Sequence, residues 1–115
     1  MKLAIIGSRK ITLIDDKILL GYIPKGTTTI ISGGANGVDA IAERFAARRG
    51  IAFVKILPDY QRYGRKAPII RNKEMIRKAD QVLAVWDFHS RGTAHAIACC
   101  IKEGVPVRII NLIGK

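Results

Sequence analysis

Five short apolar runs, rich in isoleucine and valine and separated by helical patterns, constrain this chain more than any other feature. They are Leu3 to Ile6, Thr28 to Ile31, Ala52 to Leu57, Val82 to Trp86 and Val105 to Ile110. Each is strand-length and none alternates cleanly, so each reads as a strand buried on both faces. Between them, Val38, Ile41, Ala42, Phe45 and Ala46 share one helical stripe, with Glu43, Arg44 and Arg48 outside it and Gly50 as a stop signal. A second helix is expected from about Gly92 to Glu103, with Ala94, Ile97, Ala98 and Ile101 facing inward and Gly104 closing it. A third follows Pro68, which a first helical turn tolerates, and turns Ile69, Ile76 and Ala79 inward. The shortest lies near Leu13 to Leu20, where Thr12 and Asp15 have capping-box spacing.

Strand and helix alternate throughout. The expected fold is therefore α/β: a single Rossmann-like, doubly wound parallel sheet of about five strands with helices on both faces, one domain over residues 1–115. Right-handed crossovers place every strand-to-helix loop at one edge of such a sheet, and ligands bind there, where the strand order reverses. The loops to inspect are "GSRK" (7–10), "SGGANGVD" (32–39), "PDYQRYGRK" (58–66) and "WDFHSRGT" (86–93).

Charge narrows the partner. Lys and Arg number 20 against 9 Asp and Glu, a formal net charge of +11, which points to a nucleic acid, a nucleotide or an acidic membrane. The apolar run in "MKLAIIG" stops at Gly7, too short for a signal peptide or a membrane span. Cys99 and Cys100 lie in an apolar helical pattern without metal-ligand spacing and read as reduced, buried thiols. A cytoplasmic protein without a membrane partner is expected.

Two familiar phosphate motifs fail. The dinucleotide fingerprint needs Gly-x-Gly-x-x-Gly, whereas the order here is Gly33, Gly34, Ala35, Asn36, Gly37. "GYIPKGTT" (21–28) has P-loop glycine spacing, but Thr27 stands at the lysine position and the segment precedes a strand. Ser32 to Gly37 nevertheless leaves a strand and opens a helix, so its unpaired amides are expected to face an anion, with the missing side chains allowing close approach. Asp39 suits the helix dipole as a stabiliser, or a ligand hydroxyl as a contact. A tight turn alone is the plainer explanation of the glycines.

A second loop repeats the design: Ser90 can cap, Gly92 permits close approach, and Arg91 and Thr93 can donate to phosphate oxygens. Ser8 and Arg9 follow the first strand with a hydroxyl and a guanidinium. From Gln61 to Lys78 the chain carries seven Lys and Arg against the single acid Glu74. There Tyr60 and Tyr63 can stack bases while Arg62, Arg65 and Lys66 hold phosphate, or all five simply form a solvated face. Asn72 shares a helical stripe with Ile69 and Ile76 and must find a polar partner. His95 and Asp87 are the candidates for proton transfer, His89 less so, and Trp86 reads as core or pocket wall. No metal cluster or paired nucleophile and base is visible in the sequence.

With these residues in place, the chain resembles the SLOG superfamily of Rossmann-like nucleotide-binding proteins, which includes the DprA/Smf DNA-processing proteins and the LONELY GUY phosphoribohydrolases. It is most similar to the small YspA/YpsA-related branch. The matching elements are "IIGSR" (5–9), "SGGANGVD" (32–39), "RNKEM" (71–75) and "WDFHSRGTAH" (86–95). The resemblance implies a cleft for a nucleotide or nucleotide-derived ligand, carried by Gly7, Ser8, Arg9, Gly33, Gly34, Gly37, Asp39, Arg71, Asn72, Ser90, Gly92 and Thr93. It departs where the phosphoribohydrolases carry Pro-Gly-Gly-x-Gly-Thr-x-x-Glu, because the glutamate position is Ala96. That departure leaves enzymatic activity open. Three readings follow: a nucleotide-binding sensor or processing partner, a DprA-like binder of single-stranded nucleic acid, and a hydrolase of a nucleotide N-glycosidic bond or phosphate ester. A nucleotide is the expected ligand in place of any other cofactor, and self-association into a homo-oligomer is compatible with each.

Overall fold

A computed structural model describes residues 1–111. All five apolar runs form strands: β1 (Lys2–Gly7), β2 (Thr29–Ser32), β3 (Ala52–Lys55), β4 (Gln81–Val85) and β5 (Val107–Ile110). They pair in parallel in the order β3-β2-β1-β4-β5. The first three strands wind in one direction and the last two in the other, so the order reverses between β1 and β4.

The lack of alternation in β1 and β4 has the expected cause. Leu3, Ile5, Leu83 and Val85 enter a core with Val38, Ile41 and Phe45 of α2 (Val38–Arg49) and Leu19 of α1 (Asp16–Tyr22). Their neighbours Ala4, Ile6, Val82 and Ala84 enter a second core with Met75 and Ile76 of α4 (Ala67–Lys78) and Ala96, Ile97 and Cys100 of α5 (Arg91–Glu103). Alternate side chains thus feed opposite faces, and both faces are covered. The two outer strands differ from expectation. β3 and β5 leave Val54 and Ile109 exposed, because a strand at the sheet edge gains cover only from the loops and helix ends near it.

Three helical details also depart from the sequence reading. α1 begins at Asp16 with Asp15 itself as N-cap, its carboxylate accepting from the amides of Lys17 and Ile18, and Leu13 lies outside the helix and exposed. In α5 the buried stripe is Thr93, Ala96, Ile97 and Cys100, while Ile101 faces solvent. In α4 it is Ala67, Arg71, Met75 and Ile76, while Ile69 is half-exposed. The stop signals behave as read: Gly50 and Gly104 adopt left-handed conformations at the ends of α2 and α5. Cys99 and Cys100 are free thiols, the first partly and the second fully buried, and burial pushes Cys100 up to about 11. No helix among the described residues is long and apolar enough to cross a membrane.

Residues 58–66 are more ordered than a loop. Asp59 caps a single turn, α3 (Tyr60–Tyr63), and a 3-10 turn over Gly64–Lys66 leads directly into α4. This short coil carries Tyr60 to the same sheet edge as the glycine loop.

Candidate functional site

Where the strand order reverses, the loops that follow β1 and β4 leave a cleft of about 460 Å³ at the carboxyl edge of the sheet. Small-molecule sites span roughly 300–1,000 Å³, so the cleft is of ligand size. Its floor is Ile6, Gly7 and Ser8, and its rim carries Arg9 and Lys10. α4 supplies Pro68, Arg71, Asn72 and Met75. From the opposite wall come Asp87, His89 and Ser90, then Gly92, Thr93 and Ala96 on the first turns of α5. Ala35 and Asp39 close it on the side of α2.

Ser8 ties three loops together. Its amide donates to the carbonyl of Val85, its carbonyl accepts from the amides of Ile11 and Val38, and its hydroxyl accepts from the amide of Asp87 at 3.3 Å. The β4–α5 loop is fixed in its turn by Asp87, whose carboxylate accepts from the amides of His89 and Ser90, both at 2.8 Å. Those two amides hold the Asp87 carboxyl below the usual carboxylate range. The ring nitrogen of Trp86 donates to the carbonyl of Ser90, and the Ser90 hydroxyl caps the amide of Thr93. Trp86 therefore braces the loop from the core side and does not line the cleft.

The glycine loop is held from within. Asp39 accepts from the Ser32 hydroxyl at 2.9 Å and from the Ala35 amide at 3.1 Å, and Arg71 donates to the carbonyl of Gly33 at 2.8 Å. Arg71 also donates to Asn72, which answers the question of that residue's partner. The Arg71 side chain is buried, and desolvation lowers its pKa against the opposing pull of Asp39.

This arrangement corrects the expectation that the glycines clear a path for an anion. A Cβ at Gly37 would lie 2.4 Å from the Ser8 carbonyl oxygen, and one at Gly7 would lie 2.3 Å from that of Val85. At Gly33 it would meet the Arg71 guanidinium at 2.4 Å, and at Gly34 the side chain of Leu57 at 2.6 Å. The protein itself fills the space that these missing side chains leave. One of the amides expected to face an anion, that of Ala35, already donates to Asp39, and the next helical amide, that of Val38, donates to the Ser8 carbonyl. Gly92, by contrast, has nothing within 4 Å of its Cβ position.

Beside the cleft lies a second hollow of about 260 Å³, lined by Gly33 to Asn36 on one side and by Leu57, Pro58 and Tyr60 on the other. Arg9, Ala35 and Arg71 border both hollows. Several residues singled out in the sequence lie elsewhere. Ser32 and Gly37 are buried behind the loop, Arg91 is exposed outside both hollows, and His95 points to solvent on α5. Arg62, Tyr63, Arg65 and Lys66 form an exposed strip beside the second hollow's Tyr60, with the Arg62 guanidinium over the Tyr63 ring. Lys10, Leu57 and Pro58 line the site without having been singled out as ligand residues, although Lys10 and Pro58 lie in loops that the topology places at this edge and Leu57 adjoins one. Ala96, at the position of the phosphoribohydrolase glutamate, is buried and lines the cleft. Among the described residues, no cluster of His, Cys, Asp and Glu is arranged to hold a metal.

Comparison with known proteins places this geometry. The model of the YspA, cpYpsA-related SLOG family matches residues 16–63, which include the glycine loop. Gene 61 protein of Mycobacterium phage D29 is 37% identical over 84 residues, covering 68% of this chain and 67% of that protein. Among solved structures, DNA processing protein A from Helicobacter pylori, described for its single-stranded DNA binding mode, superimposes with a TM-score of 0.73 at 22% identity over 95% of this chain. The chain spans 64% of that protein, less than two thirds of its length. An X-ray structure of TM1055 superimposes with a TM-score of 0.69 at 24% identity, covering 92% of this chain and 71% of that one. Both share the five-stranded α/β fold with helices on both faces. Family model, phage relative and fold agree: the chain belongs to the YspA, cpYpsA-related SLOG family.

Proposed function

We propose that the protein binds a nucleotide or nucleotide-derived phosphate ligand in the cleft between β1 and β4, as a sensor or as a processing partner. One observation carries the reading: the cleft gathers Arg9, Lys10 and Arg71 around the open first turn of α5. Two carboxylates, Asp39 and Asp87, stand against these three cations, so the lining keeps an excess of positive charge, and loop amides hold both acids in place. A phosphate set against Gly92 meets first-turn amides that no helical carbonyl can satisfy, with the helix dipole in its favour. The Thr93 and Ser90 hydroxyls, 3.1 Å apart, stand ready as further partners. Asp87, held ionised, suits a ligand hydroxyl better than the role of proton donor, and His95 lies outside the cleft. These placements favour binding over hydrolysis.

A panel of nucleotides tests the reading by thermal denaturation. A true ligand at a hundred times its Kd adds about 2.7 kcal/mol to stability. For a domain of this size that is on the order of 10 °C in Tm. Arg9→Ala, an exposed substitution, is expected to leave the free protein's Tm in place and to abolish the shift. A panel that moves the Tm of neither protein refutes the proposal.

A second reading has its own support. The exposed strip of Arg62, Arg65 and Lys66 carries no ion pair among the described residues and adjoins Tyr60 of the second hollow. A single strand lying there is expected to bind with an affinity that falls steeply with salt. Arg62→Ala combined with Arg65→Ala should reduce the slope of log K against log salt by roughly 1.4, taking about 0.7 per lost phosphate contact. An unchanged slope in that double variant removes the strip from any such interface.

A further inference from the structure

The second hollow is too small to rank as a ligand site by itself, yet it is built as one. At about 260 Å³ it falls below the usual range for independent sites. Its wall nevertheless presents two large hydrophobic side chains to solvent, Leu57 at 62% exposure and Tyr60 at 56%. The Leu57 side chain rests against Gly34, within 2.6 Å of its Cβ position, so the open surface is the outer side of Leu57 and Tyr60. Such an apolar and aromatic surface suits a flat ring, which covers it as it loses its own water.

The ridge between the two hollows has a different chemistry. Arg9 and Arg71 border both sides of it, and Arg71 is fixed there by its bonds to Gly33 and Asn72. A pair of guanidiniums between two hollows calls for an anion that crosses from one to the other.

We infer that the ligand is a two-unit nucleotide: one nucleoside phosphate occupies the main cleft, a phosphate bridge crosses the Arg9–Arg71 ridge, and a second base lies against Leu57 and Tyr60. The inference rests on the nucleotide reading of the main cleft and adds the second subsite to it. A free dinucleotide and a dinucleotide step within a single strand share this chemistry.

The test compares affinities for the four 5′-mononucleotides, the 5′-phosphorylated dinucleotides of the same bases, pyrophosphate-bridged dinucleotides of the NAD type, and short oligonucleotides. A bound second base is expected to tighten binding about tenfold over the matching mononucleotide, within the range measured for base-aromatic stacking. Leu57→Ser and Tyr60→Ala, each checked for a native circular dichroism spectrum, should both bring that ratio toward one. A gain that grows further with oligonucleotide length identifies a strand as the source, and a gain complete at two units identifies a free dinucleotide. Mononucleotides that bind as tightly as every two-unit ligand overturn this inference while leaving the nucleotide reading intact. A ratio that survives both substitutions also overturns it. Absence of binding by all of these ligands overturns the two readings together.

Discussion

Gly37→Ala is expected to cost more than about 4 kcal/mol, a large share of the roughly 5–15 kcal/mol that holds a domain of this kind folded. Gly37 is the N-cap of α2 and has φ 76° and ψ −127°, a region that side chains rarely enter. Strain accounts for only part of the cost. A Cβ there would press against backbone, 2.4 Å from the Ser8 carbonyl oxygen and 2.5 Å from that of Arg9, and neither can swing aside as a side chain would. The Ser8 carbonyl is also the acceptor for the amides of Ile11 and Val38, so relief by backbone movement breaks the joint between β1 and α2. Gly92→Ala provides the contrast. With open space around it in the first turn of α5, that change is expected to keep the fold and to raise its stability by up to about 1 kcal/mol. Thermal or urea unfolding of both variants checks the pair. A Gly37→Ala protein that melts within a few degrees of the parent would show that the loop yields where the packing says it cannot.

The same residue shows how far the sequence reaches. Glycines crowded between a strand and a helix announce a special turn, and the topology alone places that turn at the ligand edge. Their cause was not legible, because the atoms that exclude a side chain at Gly37 belong to Ser8 and Arg9, far away in the chain. Arg71 is the parallel case. It lies in a run of basic residues that reads as a solvated face, yet it alone among the cations of 61–78 is buried, through a carbonyl that only the folded chain brings to it. The strands were legible because Ile- and Val-rich runs of that length have few alternatives, and two-sided burial of β1 and β4 follows from their lack of alternation. Helix faces were less so. In α5 alanines at 94, 96 and 98 and the paired cysteines are apolar nearly all round, so periodicity could not decide between the stripe ending at Cys100 and one ending at Ile101. At the candidate site the sequence places the loops at one edge, but it does not reveal that His95 is exposed on α5, or that Asp39 of α2 and Arg71 of α4 bond the Ala35 amide and the Gly33 carbonyl of the glycine loop.

That internal tie leads to the second large effect. Asp39→Ala removes the acceptor for the Ala35 amide, leaves the Ser32 hydroxyl with the Ile5 carbonyl as its remaining acceptor, and strips the buried Arg71 of its main opposing charge. An unsatisfied buried group costs about 1–3 kcal/mol, and a buried charge left without its counter-charge adds to that. A loss of about 3 kcal/mol is expected, more than 10 °C in Tm for a domain of this size. Arg71→Met keeps much of the buried stem but gives up the donors to Gly33 and Asn72, for a loss of about 2 kcal/mol. The double variant is the informative one. With the acid and the cation both gone, no uncompensated charge remains beside the loop, so the combined loss should fall short of the sum by about 1 kcal/mol or more. Additivity within 0.5 kcal/mol would mean that the two side chains stabilise the loop independently. Because Asp39 and Arg71 also border the cleft, every one of these variants should lose the nucleotide-induced rise in Tm, whereas Arg9→Ala loses it without any change in the free protein. That difference separates a residue that shapes the site from one that only touches the ligand.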